Sequence, residues 1–289
     1  MRLSVSSYSF HQYIKAGKLT LLQVVDKAAE MGFEGIEFID LPTGDGPEAR
    51  SALAAELRER AAKNGLSMVA YTVGAKLWQP TEELRRAEIE RVKGEVDIAV
   101  ALGAPVLRHD LAWALDKSGP GRSFLGMMPA LAETVREITE YAATKGVRTC
   151  SENHGRVAQD SYRMEAFVNA VNHDNYGLLV DMGNFLCVDE DPVTAVSRVA
   201  NLAFHAHAKD MEIMPFGTPP EGLIATRGAG LLRATAVGHG SVPVERCLHI
   251  LKRAGYDGWV SLEYEGREDC LWGIAEGLKN LKLYLSRMG

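Results

Sequence analysis

The sequence predicts one closed (β/α)8 barrel, the α/β fold in which eight parallel strands alternate with helices. Three observations lead to this prediction. A short run rich in Val, Ile and Leu, a polar junction and an amphipathic helical pattern recur eight times, at intervals of about 30 residues. The 289 residues of the chain fit the size of one such barrel. No GxGxxG motif follows the first run, and eight even units exceed what an open doubly wound sheet usually holds.

Eight strands are predicted where the apolar runs are bounded by polar or glycine residues. They cover residues 3–8, 35–39, 68–73, 105–109, 147–151, 177–181, 203–207 and 259–263. Helical periodicity predicts helices over residues 19–31, 48–64, 81–102, 127–145 and 242–254. Several of these patterns end at a glycine suited to a left-handed C-cap, namely Gly32, Gly65, Gly103, Gly146 and Gly255.

Composition indicates a globular protein with a large core and a small-molecule partner. Hydrophobic residues make up 46% of the chain, charged residues 24%, and the formal net charge is −6. Such an acidic chain lacks the clustered Lys and Arg that bind nucleic acid, and we see no membrane span. The four cysteines form no CxxC pair and no apolar signal segment precedes the first strand, so we expect a reducing, cytoplasmic location. Homo-oligomerisation is left open.

Residues 1–289 are predicted to form one domain with one unusual segment. Residues 211–241, after the seventh strand, are too many for an ordinary βα loop. They include Pro215, Phe216, Pro219 and Pro220, followed by a glycine-containing run at 228–230 that resembles a hinge. We interpret the segment as a lid over one end of the barrel, with an ordinary surface excursion as the alternative.

Four neighbouring predicted strands each end in a side chain that can bind a metal ion. Strand five ends in Glu152 within the sequence CSENHG, strand six in Asp181, strand seven in His207 and strand eight in Glu263. The C-terminal strand ends of a barrel meet at one rim, where function resides. Converging carboxylates repel one another, and a divalent cation is the simplest compensation. Three carboxylates and one imidazole suit one Mn²⁺, Mg²⁺ or Co²⁺ ion, with Zn²⁺ also allowed by its affinity.

Each of these residues also has a simpler interpretation. Glu152 and Asp181 are of types that stabilise helix N-termini. In the sequence FHAHAKD, strand alternation places His205 and His207 on one face, so one of them could be a core histidine. The glutamate of strand eight could pair with Arg267. Their occurrence at four successive strand ends favours a metal site.

Short motifs at the strand tips resemble a known family. SENHG, VDMGN, HAHAKD and SLEYEG, with SVSSYSF on the first strand and GFEGIEF on the second, resemble the xylose isomerase-like TIM barrels, also called sugar phosphate isomerases/epimerases. In the ketose 3-epimerases of that group, strand-end Glu, Asp, His and Glu bind one divalent metal, which implies this role for Glu152, Asp181, His207 and Glu263. The resemblance also implies that the two glutamates are the catalytic acid and base. Inosose dehydratases and an apurinic endonuclease are related barrels, so it does not identify a substrate.

Two positions depart from these relatives. Xylose isomerase proper has a second-metal His three residues after the first Glu, whereas this chain has Gly155 there and His154 one residue earlier. This difference argues against a two-metal hydride shift. Ketose 3-epimerases place a substrate-binding His three residues after the metal Asp, where this chain has Asn184. Their substrate therefore does not transfer directly to this chain.

The expected chemistry is proton transfer next to a carbonyl group. A metal chelated by a carbonyl oxygen and an adjacent hydroxyl stabilises the enediolate formed when the α proton leaves, so an ordinary carboxylate can act as the base. Glu152 and Glu263, on either side of the substrate, could remove the proton from one face and return it to the other. Return to the other face of the same carbon gives epimerisation, return to the neighbouring carbon gives isomerisation, and loss of a β-hydroxyl gives dehydration.

A second group of polar residues is predicted to contact the substrate. Each has an ordinary alternative. Lys209 could form a salt bridge with Asp210 or Glu37. His154, His109 and Asn184 could make loop hydrogen bonds, and Arg233 could simply be exposed. The aromatic residues Tyr8, Phe10 and Trp113 could form the walls of a sugar pocket or belong to the core. The candidate substrate-binding residues are His154, Asn184, Lys209, His109, Glu37 and Arg233.

We therefore predict a metal-dependent isomerase or epimerase acting on a sugar, keto-sugar or cyclitol. A lyase of the keto-inositol dehydratase type, using the same metal, is the second hypothesis. A carbohydrate-binding barrel without turnover is the third, and the intact acids at both proposed base positions argue against it.

Overall fold

Eleven strands and nine α-helices occur in residues 1–44 and 46–288, the part of the chain that the computed structural model describes. The strands are β1 Arg2–Ser6, β2 Gly35–Ile39, β3 Ser67–Val73, β4 Val106–His109, β5 Arg148–Glu152, β6 Tyr176–Asp181, β7 Ala203–Ala208, β8 Asp210–Ile213, β9 Ile224–Ala225, β10 Leu231–Thr235 and β11 Trp259–Leu262. The helices are α1 His11–Lys15, α2 Leu21–Glu30, α3 Gly46–Lys63, α4 Glu82–Leu102, α5 Phe124–Thr144, α6 Ser161–Val171, α7 Pro192–Val199, α8 Val244–Arg253 and α9 Cys270–Ser286.

Eight parallel strands close into a barrel, in the order β1-β11-β7-β6-β5-β4-β3-β2. Seven of the eight neighbouring pairs in this ring follow one another along the chain, with strands β8 to β10 and helix α8 lying between β7 and β11. Closure satisfies the backbone of every barrel strand on both sides, so the sheet has no open edge. The predicted (β/α)8 barrel is confirmed.

The barrel has an apolar floor below a polar layer. Side chains alternate between the two faces of a strand, so residues two apart share a face. Val106, Cys150 and Leu179 are buried in one apolar cluster, and each precedes a charged residue by two positions. The charged residues therefore point into the barrel at its C-terminal end, above a floor that excludes water. Ions held there are costly to leave unpaired.

The first strand is shorter than predicted. It ends at Ser6, whose hydroxyl accepts the backbone N–H of Tyr8 at 3.4 Å and begins a 3-10 turn over Ser7–Phe10. The Ser7 hydroxyl in turn accepts the backbone N–H of Ile39 at the end of β2, at 3.0 Å. The turn brings Tyr8 to the barrel mouth, where it lines a cavity.

The segment after β7 contains a sheet of its own. Strands β8, β10 and β9 form a three-stranded antiparallel sheet in that order, where the sequence had predicted only a long loop. Both ends of the segment are joined by the carboxylate of Asp210, which accepts the backbone N–H groups of Met211 at 2.8 Å, Gly238 and Gly240 at 2.9 Å and Val242 at 3.0 Å. The segment therefore leaves and re-enters the barrel at one fixed point.

The four cysteines, Cys150, Cys187, Cys247 and Cys270, are buried free thiols. Burial raises the pKa of Cys150 to about 12, which removes it as a nucleophile. Among the helices of the described residues, none combines the length and apolar character that a membrane span requires.

Candidate metal centre and its pocket

The four residues at the predicted strand ends come together in one buried cluster. Glu152 ends β5, Asp181 ends β6, His207 lies in β7 and Glu263 directly follows β11. One ligand atom from each residue lies within 4.8 Å of the ligand atoms of the other three. Because all four side chains are buried, the cluster concentrates negative charge in a place with little water.

Unpartnered atoms at the centre of the cluster fit a divalent metal ion. The Nδ1 atom of His207 lies 3.6 Å from Oε2 of Glu263, 3.7 Å from Oδ2 of Asp181 and 4.0 Å from Oε1 of Glu152. Within the described residues, this Nδ1 atom and Oδ2 of Asp181 are buried without a hydrogen-bond partner. Buried polar atoms are rarely left so unless a ligand satisfies them. Three carboxylates and one imidazole suit Mn²⁺, Mg²⁺, Co²⁺ or Zn²⁺.

The simpler interpretations of these residues account for only part of their contacts. One oxygen of Asp181 accepts the backbone N–H groups of Gly183 and Asn184, both at 2.8 Å, and so caps the turn after β6. Its other oxygen is left to the cluster. Glu152 does not cap the helix that follows, because Asp160 is the N-cap of α6. The predicted alternative partner of Glu263, Arg267, instead donates to a backbone carbonyl in the long segment.

Two permanent cations neutralise part of this charge. The ammonium group of Lys209 lies 2.5 Å from Glu263 and 3.4 Å from Asp181. The guanidinium of Arg108 lies 2.6 Å from Glu152 and 2.7 Å from Asp110. Lys209 therefore belongs to the centre, and it does not form the salt bridges with Asp210 or Glu37 considered from the sequence. The carboxylates still outnumber these cations.

Glu37 supports the imidazole ring of His207 from below. Its Oε1 atom lies 2.7 Å from Nε2 of His207, although the contact lacks the alignment of a hydrogen bond. Its Oε2 atom lies 2.6 Å from Nε2 of His205 and accepts the hydroxyl of Ser261 at 2.8 Å. A proton on Nε2 of His207, attracted to Glu37, leaves the lone pair of Nδ1 facing the cluster. Glu37 was predicted to bind substrate, but it is fully buried below the ring and does not line the pocket.

Replacement of Glu37 by Gln is expected to weaken metal affinity by roughly 10–100-fold, as is common for residues that orient a metal ligand. The amide keeps the size of the side chain but removes the negative charge that holds the Nε2 proton of His207. Calorimetric titration with Mn²⁺ measures the change. Glu34→Gln is the matched control, because Glu34 lies on the exposed approach to β2 at the opposite end of the barrel. Equal metal affinity in both variants would refute the orienting role.

The pKa values of the ionisable groups show how strongly the cluster is coupled. Burial opposes ionisation of Glu263, but the charges of Lys209 and His207 outweigh it and lower its pKa. At Glu152 burial prevails over Arg108 and raises the pKa. Burial also disfavours the charged form of His207, yet the carboxylates of Glu37 and Glu263 raise its pKa well above the ordinary value. The two glutamates thus differ in basicity although they are close together.

A cavity of about 300 Å³ opens directly onto the cluster, and we call it the inner lobe. Arg108 and Asp110 line it, and neither was predicted from the sequence. Strand alternation could have revealed Arg108, since it shares the inward face of β4 with Val106. His109, which was predicted instead, points outward: its ring lies 6.3 Å from that of Tyr176 and it is fully buried outside the cavity. The lining of the inner lobe includes Tyr8, Asp40, Thr72, Arg108, Asp110, Glu152, His207, Lys209 and Glu263.

A second cavity of about 320 Å³, the outer lobe, adjoins the inner lobe. Both lobes are lined by Trp113, His154, Lys209 and Glu265, so they form one continuous cleft. Trp113 is 47% exposed and its ring meets that of His154 edge-on at 4.9 Å. The predicted candidates His154 and Lys209 therefore lie in the cleft.

The remaining predicted residues have different positions. Asn184 lines the outer lobe and donates to Oε1 of Glu152 at 2.8 Å, so it also orients a metal-ligand candidate. Arg233 lies on β10, where it pairs with Glu212 at 2.6 Å, and it lines neither lobe. Phe10, considered as a possible wall of the pocket, belongs to the buried core.

His154 is held in position by Asp110. The Nδ1 atom of His154 lies 3.0 Å from Oδ1 of Asp110. Burial disfavours the charged imidazolium, but this hydrogen bond and the nearby charge of Glu152 raise the pKa of His154. The cleft thus contains an oriented imidazole that can donate a proton close to the two glutamates.

The fold and the site together define a (β/α)8 barrel with a candidate metal centre at the C-terminal ends of its strands. The chain belongs to the family described as xylose isomerase-like TIM barrel, whose sequence model matches residues 25–284.

Two curated relatives are both named inosose dehydratase. The protein from Clostridium botulinum (strain Alaska E43 / Type E3) is 27% identical over 138 residues, which cover 47% of this chain and 46% of the relative. This match therefore spans about half the length of that relative. The protein from Geobacillus thermodenitrificans (strain NG80-2) is 24% identical over 270 residues, which cover 86% of this chain and 83% of the relative.

Three solved structures share the fold at low sequence identity. A D-psicose 3-epimerase in the presence of D-fructose has a TM-score of 0.73 and 17% identity, with 100% of both chains covered. The IOLI protein with a binding zinc atom has a TM-score of 0.76 and 18% identity, covering 100% of this chain and 99% of that one. A xylose isomerase-like TIM barrel protein from Mycobacterium smegmatis in complex with magnesium has a TM-score of 0.73 and 18% identity, covering 100% and 98%. These likenesses concern the fold alone.

Proposed function

We propose that the protein is a divalent-metal-dependent enzyme that moves a proton at the carbon next to a carbonyl group of a sugar, keto-sugar or cyclitol, and that the outcome is epimerisation or isomerisation. One observation carries the proposal. Glu152 and Glu263 belong to the same metal-ligand cluster and both line the inner lobe. Two carboxylates that face one cavity from different strands can accept and return a proton on different faces of a substrate.

The residues present fit a resident cation at this cluster. Glu152, Asp181, His207 and Glu263 would hold it, with Mn²⁺, Mg²⁺, Co²⁺ or Zn²⁺ as candidates. When bound, a divalent cation supplies Lewis-acid stabilisation of negative charge on a substrate oxygen. Relatives whose names include magnesium or zinc support this assignment.

The other polar residues of the cleft bind and orient. Lys209 lies between Glu263, Asp181 and Glu265, and its charge lowers the pKa values of Glu263 and Asp181. Arg108 holds Glu152 from the opposite side at 2.6 Å. These contacts orient both glutamates, and proton transfer at one carbon requires such orientation of the reacting groups.

Dehydration is a second candidate reaction, favoured by the His154 and Asp110 pair. Loss of a β-hydroxyl as water requires a proton donor near the leaving oxygen, and an imidazole hydrogen-bonded to a carboxylate can act as that donor. The two curated relatives named inosose dehydratase support this candidate as well.

Exchange with solvent deuterium tests the proposal. Metal-loaded protein is incubated in D₂O with D-fructose, D-ribulose and 2-keto-myo-inositol, and nuclear magnetic resonance follows the carbon next to the carbonyl. Deuterium is expected at that carbon in product and recovered substrate, because a carboxylate in an open cavity exchanges its proton with water. Dehydration would show exchange together with loss of water and a new ultraviolet-absorbing enone. A binding-only barrel would show affinity without exchange, and conversion without deuterium would indicate a hydride shift.

Shortening the long segment is expected to reduce turnover more than thermal stability. Met211 and Ile224 of this segment line the outer lobe, whereas Phe216 at its tip is fully exposed. Deletion of residues 216–222 removes the tip and alters how β9 covers the cleft. Steady-state kinetics and thermal denaturation of the same protein measure the two effects. Unchanged kinetics would show that the segment is a surface excursion and not a lid.

A further inference from the structure

Apart from the metal-ligand candidates, several further carboxylates line the cleft. Asp40 and Asp110 line the inner lobe, and Glu265 lines both lobes. Asp110 is only 5% exposed. A ligand that enters the cleft therefore meets negative groups on several sides before it reaches the metal-ligand cluster.

The buried cations of the cleft are already occupied by these carboxylates. Arg108 contacts Asp110 at 2.7 Å and Glu152 at 2.6 Å. Lys209 has three carboxylates within 3.4 Å, the shortest contact being 2.5 Å to Glu263. A phosphate or carboxylate group of a ligand would have to compete with these buried carboxylates for the two cations and would add its own negative charge to the cleft, which is unfavourable.

Backbone N–H groups near the end of β7 already donate hydrogen bonds within the protein. Barrel enzymes often bind phosphate with N–H groups of the loops that follow the seventh and eighth strands. Here the carboxylate of Asp210 accepts the N–H groups of Gly238, Gly240 and Val242 at 2.9–3.0 Å. The carboxylate of Asp210 thus occupies the N–H groups that could otherwise bind a phosphate of the ligand.

Two arginines near the cleft, Arg227 and Arg267, are directed to other partners. Arg227 donates to Asp160 at 2.8 Å, and Arg267 donates to the backbone carbonyl of Glu221 at 3.1 Å. Arg156 lines the outer lobe, but its side chain is exposed, so solvent and salt screen its charge.

Groups that recognise hydroxyls are abundant in the same space. Tyr8, Thr72 and Asp40 line the inner lobe, and the exposed face of Trp113 closes it on one side. Carboxylates accept hydrogen bonds from hydroxyl groups, and an aromatic face packs against the C–H side of a sugar ring.

We infer that the cleft takes an uncharged polyhydroxylated ketone and discriminates against its phosphorylated or carboxylated counterparts. This inference rests on the proposed function and narrows its substrate class. The neutral hydroxyls of such a ligand can donate to the carboxylates, whereas a phosphate dianion is repelled by them. Like charges brought together in this way oppose binding, and we expect a preference of about tenfold or more for the neutral ketone.

Matched pairs of substrates test the inference. Metal-loaded protein is supplied with D-fructose and D-fructose 6-phosphate, and with D-ribulose and D-ribulose 5-phosphate, and kcat/KM for deuterium exchange is measured for each. The neutral member of a pair is expected to be preferred at least about tenfold, and the difference should shrink when salt rises from about 20 to about 200 mM, because salt screens repulsion.

A preference for the phosphate esters, or affinity for them that falls as salt rises, would overturn the inference and leave the proposed function intact. Arg156→Ala, with Arg253→Ala on the outer helix α8 as the matched control, would then show whether Arg156 binds the phosphate. Exchange with no member of either pair and none with 2-keto-myo-inositol would overturn the proposed function itself, and the inference with it.

Discussion

Removal of the bound divalent ion by a chelator is expected to abolish turnover and to lower the melting temperature. Without a bound cation, the three carboxylates of Glu152, Asp181 and Glu263 face one another, and Lys209 and Arg108 balance only part of their charge. Binding of metal to the folded state alone stabilises it by about 2.7 kcal/mol at 100 times the dissociation constant. Elemental analysis verifies that the metal has been removed, and activity assays and thermal denaturation at increasing Mn²⁺ concentration measure the two effects.

His207→Ala distinguishes this centre from unspecific binding of metal to surface acids. The variant keeps the carboxylates but removes the His207 nitrogen from the cluster, so its melting temperature should respond little to Mn²⁺. Full activity of wild-type protein shown by elemental analysis to be free of metal would rule out the proposed role of the cluster. Zinc found after purification would not identify the native metal, since the affinity order of divalent ions favours it.

Replacement of Glu263 by Gln is expected to lower the rate of deuterium exchange by roughly 10²–10⁴-fold, the usual loss when a general base is removed. The amide cannot accept the substrate proton, and it contributes no charge to a metal ion. The barrel is expected to fold normally because Gln has nearly the same shape. Measurement at saturating Mn²⁺, established by calorimetry, separates the loss of the base from weaker metal binding.

Glu276→Gln is the matched control for this variant, because Glu276 lies on the outer helix α9 and pairs with the exposed Lys279. It is expected to behave as wild type. Exchange at the wild-type rate in Glu263→Gln would require another base, and Glu152→Gln would then be the next variant to measure.

The fold and the ligand candidates were predictable because both depend on order along the chain. Each strand ends at a recognisable polar junction, and consecutive strands of a barrel become neighbours, so Glu152, Asp181, His207 and Glu263 had to meet at one rim. Nothing beyond strand boundaries was needed for this result.

The partners of these residues depend on side-chain direction and on contacts between distant strands, which the sequence does not reveal as directly. His109 was chosen for its chemical type, although alternation along β4 turns Arg108 inward and His109 outward. Glu37 was grouped with the substrate-binding candidates, yet it lies two residues before the end of β2, where it contacts His205 and Ser261 of distant strands. The sheet of the long segment was missed because its strands are short and are separated by one proline-containing and one glycine-containing connection.

The carboxylate of Asp210 ties together the two ends of the segment 211–241. The length and sequence of that segment can therefore change independently of the barrel. The backbone N–H groups of Met211, Gly238, Gly240 and Val242 donate to this carboxylate and hold the two ends together. The residues between these ends are therefore not needed to close the segment. A doubling of the length of a loop costs only about 0.6 kcal/mol in closure entropy. Segments of other lengths and sequences could therefore be grafted at this point, which would change the part of the outer lobe lined by Ile224 while the metal-ligand candidates in the barrel stay unchanged.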